Sequence, residues 1–168
     1  MPNWTSNHIS IEGEAADIRA FLEAVKWEDK IFDFNRLIPM LELLKRTVSG
    51  FMTIDGKKVE SWIEDKDSEG KPVPRCFTPE EQRELEHIGY SNWYDWAVAN
   101  WGTRWNACRV EIHDASQHRY AEVSFDTAWS APVPVLLKMR KQFPRLTFDC
   151  QWRYEDESQF PHSLDDEA

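Results

Sequence analysis

Four stretches of this chain alternate apolar and polar residues with period two, and their order restricts the fold more than any other feature. They are 7–12 (NHISIE), 105–113 (WNACRVEIH), 119–129 (RYAEVSFDTAW) and 146–154 (LTFDCQWRY). Each reads as a half-buried strand. After the first strand, EAADIRAFLEAVKW sets Ala16, Ile18, Phe21, Leu22 and Val25 at helical spacing, which predicts an amphipathic helix. Pro132 and Pro134 suit the first turn of a second helix carrying Val135, Leu136, Leu137 and Met139. Strand–helix–strand–strand–helix–strand is the split β-α-β order of the ferredoxin-like fold. The expectation is an α+β domain: a four-stranded antiparallel sheet with two helices on one face. Alternation assigns Ile9, Ile11, Cys108, Val110, Ile112, Val123, Phe125, Phe148 and Cys150 to the helix-covered face. The open face receives His8, Glu12, Arg109, Glu111, His113, Glu122, Asp126, Asp149 and Arg153.

The spacing is uneven, because a large tryptophan-rich insertion, residues 27–105, separates the first helix from the second core strand. Within it, IFDFNRLIP reads as extended, MLELLKRTV as a short helix running to about Gly50, and Asp55-Gly56 as a hairpin turn. EDKDSEGKPVPRCF, 64–77, reads as loop. Thr78-Pro79-Glu80-Glu81 has the composition of a capped helix start, and Gly89 a helix stop. Ser91 is the expected cap of a second helix through Asn100. Residues 1–154 are therefore expected to be one domain, followed by an acidic, flexible tail at 155–168.

That tail dominates the charge balance. The chain carries a net charge of −10, but residues 1–153 hold 24 acids against 20 bases. A body of this kind is not drawn to phosphate backbones, so duplex nucleic acid is an unfavoured partner. Three cysteines without a C-x-x-C offer no zinc-ribbon or iron–sulfur spacing. No cofactor is expected. No apolar run is long enough to span a bilayer, and MPNWTSNHIS has no signal-peptide character. The expected location is the cytoplasm, with no membrane partner.

Four motifs bring a family into view: Met1-Pro2-Asn3-Trp4, Phe34-Asn35-Arg36-Leu37-Ile38-Pro39-Met40, Trp93-Tyr94-Asp95-Trp96 with Asn100-Trp101-Gly102-Thr103, and Phe125-Asp126-Thr127-Ala128-Trp129-Ser130-Ala131-Pro132. In this order they resemble the YubB-like ferredoxin-like-domain family, found mainly on plasmids and bacteriophages. The resemblance implies a bacterial host cell and the fold already read from the strand order. Thr5 and Leu41 depart from its pattern, and so does the acidic C-terminal segment.

Two sets of residues are candidates for function. Asn35, Trp93, Asp95, Trp96, Asn100, Trp101, Trp105, Asp126 and Trp129 would form a tryptophan/asparagine/aspartate pocket for a small ligand. The simpler reading of Trp93, Trp96 and Ala97, which share a helical face, is that their indoles seal the insertion. Glu12, Glu111, Glu122 and Asp149, with Arg109 and Arg153, would form a docking face for a basic protein. The leading expectation is a non-enzymatic binding protein whose partner is a host protein with a basic surface. A small-molecule binder or enzyme is the second reading, and a single-strand nucleic-acid binder the third.

Overall fold

The computed structural model describes residues 1–167. In chain order the elements are β1 (Trp4–Glu12), α1 (Ala15–Ala24), α2 (Glu42–Arg46), β2 (Thr47–Ile54), β3 (Lys57–Lys66), β4 (Pro72–Arg75), α3 (Pro79–Ile88) and α4 (Trp93–Trp101). They continue with β5 (Cys108–Ala115), β6 (Tyr120–Ala128), α5 (Val133–Gln142), β7 (Thr147–Tyr154) and β8 (His162–Ser163). The chain divides into two compact units, Met1–Pro39 with Asn100–Ala168, and Met40–Ala99. Among the described residues no helix is long and apolar enough to cross a membrane.

The first unit holds a sheet in the order β5-β6-β1-β7-β8, with every pairing antiparallel. It has five strands where four were expected, because the acidic C-terminal segment adds β8 beside β7. That segment, expected to be a flexible tail, also buries Leu164 completely and pairs Asp165 with Arg140 at 2.7 Å. Residue 168 lies outside the described residues.

Register shows why this sheet has two unlike faces. Ile9 pairs with Val123 and Cys150, and Ile11 with Ala121 and Phe148. These rows are buried against α1, whose Ile18, Phe21 and Leu22 point inward, and α5, which contributes Val135, Leu136 and Met139. Phe21 meets Phe148 and Phe143 with ring centroids 5.1 and 5.0 Å apart. Each such side chain contributes about 1.5–3 kcal/mol relative to exposure. Burial pushes the Cys150 thiol up to about 12, which makes it a core residue with no nucleophilic character.

One facing assignment is corrected. Cys108 was expected on the helix side, but it pairs with Asp126 on the open side. A β-bulge between Cys108 and Glu111 inserts one residue, with Arg109 in the left-handed region at φ 49°. Alternation is thereby reset within the strand. Val110 and Ile112 lie on an edge strand and are only half-buried.

The second unit contains a three-stranded sheet, β2-β3-β4, and α3. Asp55 (φ 49°) and Gly56 (φ 77°) make the two-residue turn between β2 and β3, as the Asp-Gly pair predicts. The short helix before it ends at Arg46, because the β-branched Thr47 opens β2 three residues ahead of Gly50. The stretch expected as loop contains the end of β3 and all of β4. Arg75 explains its order: the guanidinium donates to Asp65 Oδ2 at 2.5 Å and, through two parallel bonds of 2.8 Å, to Glu81. Arg46 donates to the other Asp65 oxygen at 2.9 Å. Held by Arg75, the Glu81 carboxyl titrates at about 2. Thr78 and Glu81 form the expected capping box of α3, and Gly89 closes it at φ 87°.

Candidate binding groove and open sheet face

The pocket candidates fall into two structural settings. In the second unit, Asp95 is taken up by helix capping. Asn92, rather than the expected Ser91, caps α4: its Oδ1 accepts from the Asp95 N–H at 2.8 Å, and its amide donates to Asp95 Oδ2 at 2.9 Å. Asn92 is the residue directly before Trp93, where α4 begins, so its side chain rather than that of Ser91 stands three residues ahead of the Asp95 N–H it caps. The Trp93 N–H donates to Thr47 Oγ1 at 2.8 Å, and Trp96 is buried.

In the first unit, Trp101 is a core residue, 4% exposed, with its indole N–H on the Ile38 carbonyl at 2.9 Å and its ring against Phe34. Asn100 is half-buried at the end of α4. Asn35 donates its backbone and side-chain N–H groups to Asp33 Oδ1, at 2.8 and 3.0 Å. Asp33 is 1% exposed and also accepts from Asn106 at 2.6 Å. This carboxylate hub ties the segment before Pro39 to the approach of β5. It was missed in the sequence because a lone aspartate between two phenylalanines carries no motif.

The remaining three, Trp105, Asp126 and Trp129, gather at one end of the first unit's sheet with residues that the sequence reading did not select. β1 lies between β6 and β7 and runs antiparallel to both. Its first residues therefore meet the last residues of both neighbours. Trp4 pairs with Ala128 and Thr5 with Tyr154, and the Trp129 N–H donates to the Asn3 carbonyl at 2.8 Å. Asn3, Trp4, Trp129, Tyr154, Glu155 and Asp156 line a groove of about 530 Å³. This register was the available signal, because strand order alone places these chain positions together.

The electrostatics of the strand ends are specific. Arg109 lies over the Trp4 ring at 4.3 Å and donates Nε–H to Asp126 Oδ2 at 2.6 Å. Trp105 packs beside Trp4 at 6.4 Å, and Arg104 sits 5.2 Å from the Trp129 ring. Such guanidinium–indole pairs contribute about 0.5–1 kcal/mol where exposed. Glu155 Oε2 accepts the Trp4 N–H at 3.2 Å.

Trp129 itself is 44% exposed and sits at φ 73°, in the left-handed region. A bulky side chain there is strained and persists only where its surroundings determine it. The determinants flank it. Thr127 Oγ1 donates to the Ser130 carbonyl at 2.8 Å, Ser130 Oγ to Gly102 at 2.5 Å, and Thr103 Oγ1 to Ala128 at 2.8 Å. A Cβ on Gly102 would stand 2.8 Å from Pro134 Cδ, so the glycine permits this closeness.

The rest of the open face is polar and runs in rows across β5, β6, β1 and β7. They are Cys108–Asp126–Ser6–Arg153, Glu111–Ser124–His8–Gln151, and His113–Glu122–Ser10–Asp149, with Glu12 between Tyr120 and Thr147. All six residues expected to form the docking face are thus brought onto it or, for Arg109 in the bulge, to its edge. Glu122 accepts from the Tyr120 hydroxyl, a contact that raises the phenol's pKa, and its carboxylate is 3.9 Å from His8 Nε2. The segment after β7 folds back over part of this face. Phe160 lies 6.1 Å from the His8 ring and 5.3 Å from the Arg153 guanidinium. Glu157, which accepts from the Tyr154 N–H and from His162, is held below the usual carboxylate range by those bonds. Among the described residues no three His, Cys, Asp or Glu side chains are placed to hold a metal ion.

A mixed α+β unit of this strand order defines the class, a ferredoxin-like domain. Residues 100–160, which carry β5, β6, α5 and β7, match the family described as a ferredoxin-like domain in Api92-like protein. The matched stretch is a little over a third of the chain. No curated protein and no solved structure matches the chain.

Proposed function

We propose that this chain is a non-enzymatic binding protein of a plasmid or bacteriophage, of YubB-like type, which docks a host protein with a basic surface. Its core would be the four-stranded β5-β6-β1-β7 sheet with α1 and α5, extended by β8, and the tryptophan-rich residues between α1 and β5 would be an insertion. The observation that carries the reading is unbalanced negative charge on one face. Among the described residues, Glu12 and Glu111 on the open sheet face, and Glu155 and Asp156 beside it, make no ion pair, while Asp149 is met only by the Gln151 amide. Arg109 is committed to Asp126, and Arg153 to the carbonyls of Glu157 and Ser158. Such a face steers a basic partner and repels phosphate.

The test is titration of an arginine- and lysine-rich peptide at low and physiological salt. The wild-type chain should bind, more weakly as salt rises, and the triple variant E12Q/E111Q/D149Q should bind more weakly with a shallower salt dependence. Binding indifferent to salt and to these three charges would end the proposal.

A further inference from the structure

We infer that the groove between Trp129 and Tyr154 is a receptor for an arginine side chain of the basic partner. This rests on the reading above and names the contact that gives it specificity. The chain carries its own template for the interaction. Arg109 lays its guanidinium on the Trp4 indole at 4.3 Å while Nε–H reaches Asp126 at 2.6 Å. An aromatic face and a carboxylate together satisfy both the plane and the edge of one guanidinium.

The neighbouring groove sets the same two elements side by side: Arg104 already lies 5.2 Å from the Trp129 ring, but among the described residues no cation meets the groove's carboxylates. Trp129 and Tyr154, 44% and 38% exposed, supply the aromatic surface, and Glu155 and Asp156 supply the carboxylates. Among the described residues neither carboxylate pairs with a Lys, Arg or His. Among the described residues the Asp156 carboxylate makes no hydrogen bond, and that of Glu155 accepts only the Trp4 backbone N–H. The exposure of Trp129 is imposed by the fold, since the Thr127, Ser130 and Thr103 bonds brace its left-handed backbone and hold the indole outside the core. A lysine ammonium fits less well, being a hydrated point charge without a planar face to stack. A phosphate would meet two carboxylates, which repel it.

The experiment compares an arginine-rich peptide, its lysine-for-arginine counterpart and a single-stranded oligonucleotide, each titrated against wild type, W129G and E155Q/D156N. Glycine at 129 keeps the turn without a side chain, so the chain stays folded. The account expects the arginine peptide to bind wild type several-fold more tightly than its lysine counterpart, and both variants to lose about tenfold in affinity for it. If W129G and E155Q/D156N bind the arginine peptide as wild type does while E12Q/E111Q/D149Q is weakened, the groove assignment is overturned and the docking face stands. If wild type binds neither peptide at low salt, both fall. Trp129-dependent binding of the oligonucleotide would assign the groove to nucleic acid and overturn this inference.

Discussion

Trp101 and Trp129 are 28 positions apart and belong to the same unit, yet they have opposite fates. Trp101 closes a core cluster with Phe34, its N–H spent on a backbone carbonyl. Trp129 is 44% exposed on a strained turn, and among the described residues its indole N–H makes no hydrogen bond, while its backbone N–H is held by the Asn3 carbonyl. The same division holds more widely. Conspicuous aromatics in one run of sequence, such as Trp96 and Trp101 on α4, face inward. The exposed Trp105, Trp129 and Tyr154 and the half-buried Trp4 come from positions at or near strand ends far apart in the chain, and they are brought together by β1's central place in the sheet. Clustering in sequence marked packing here, and clustering through topology marked the candidate site.

The sharpest way to test the comparison is to remove each kind of tryptophan. Trp101→Ala should destabilise the chain by about 3–5 kcal/mol, because it opens a cavity beside Phe34 and orphans the Ile38 carbonyl. Denaturant unfolding reads this directly, and a loss below about 1 kcal/mol would place Trp101 outside the core.

Next in size is a region with charge but no exposed aromatic, the Arg75–Glu81–Asp65 brace. Glu81 is depressed from its ordinary value of 4.5 to about 2 in the folded chain. Its contribution is therefore fully present above about pH 4.5 and disappears as pH falls toward 2. Glu81→Gln should cost about 1–2 kcal/mol at neutral pH and flatten that acid-side loss, leaving peptide binding unchanged. Unfolding curves of both forms across this pH range would check it. Thr78→Ala, which removes half of the adjacent capping box, should cost about 1 kcal/mol. An unchanged unfolding midpoint would contradict the cap geometry.

The smallest effect on stability belongs to the other arm of the comparison. Trp129→Gly relieves the left-handed strain and loses the Arg104 contact, two terms of about 1 kcal/mol that oppose each other. Its unfolding free energy should stay within about 1 kcal/mol of wild type. A large loss would show that Trp129 is a packing residue like Trp101.

The sequence made the repeating parts of this fold readable. Period-two alternation predicted the strands, Asp55-Gly56 the hairpin, and Thr78 with Glu81 the helix start, because each is a local preference that the tertiary structure leaves in place. Local reading failed where long-range contacts decide. The bulge at Arg109 turns Cys108 to the opposite face, and no residue type announces it, since a non-glycine at positive φ is held there by its Asp126 and Trp4 contacts. β4 was hidden because Pro72 and Pro74 argue against a strand, yet they are tolerated on an edge strand. The site was half legible: Trp105, Asp126 and Trp129 were selected, while Trp4, Tyr154, Glu155 and Asp156 needed the strand register to be seen beside them.

The central claim is that the exposed indole at the strand ends, and not the buried ones, meets the partner. Indole N–H resonances in a nitrogen-15 correlation spectrum report on each tryptophan separately. On adding an arginine-rich peptide, the Trp129 resonance should shift most and Trp4 next, with Trp101 and Trp62, which is buried on β3, unmoved. Shifts at Trp101 or Trp62 with Trp129 silent would contradict the account.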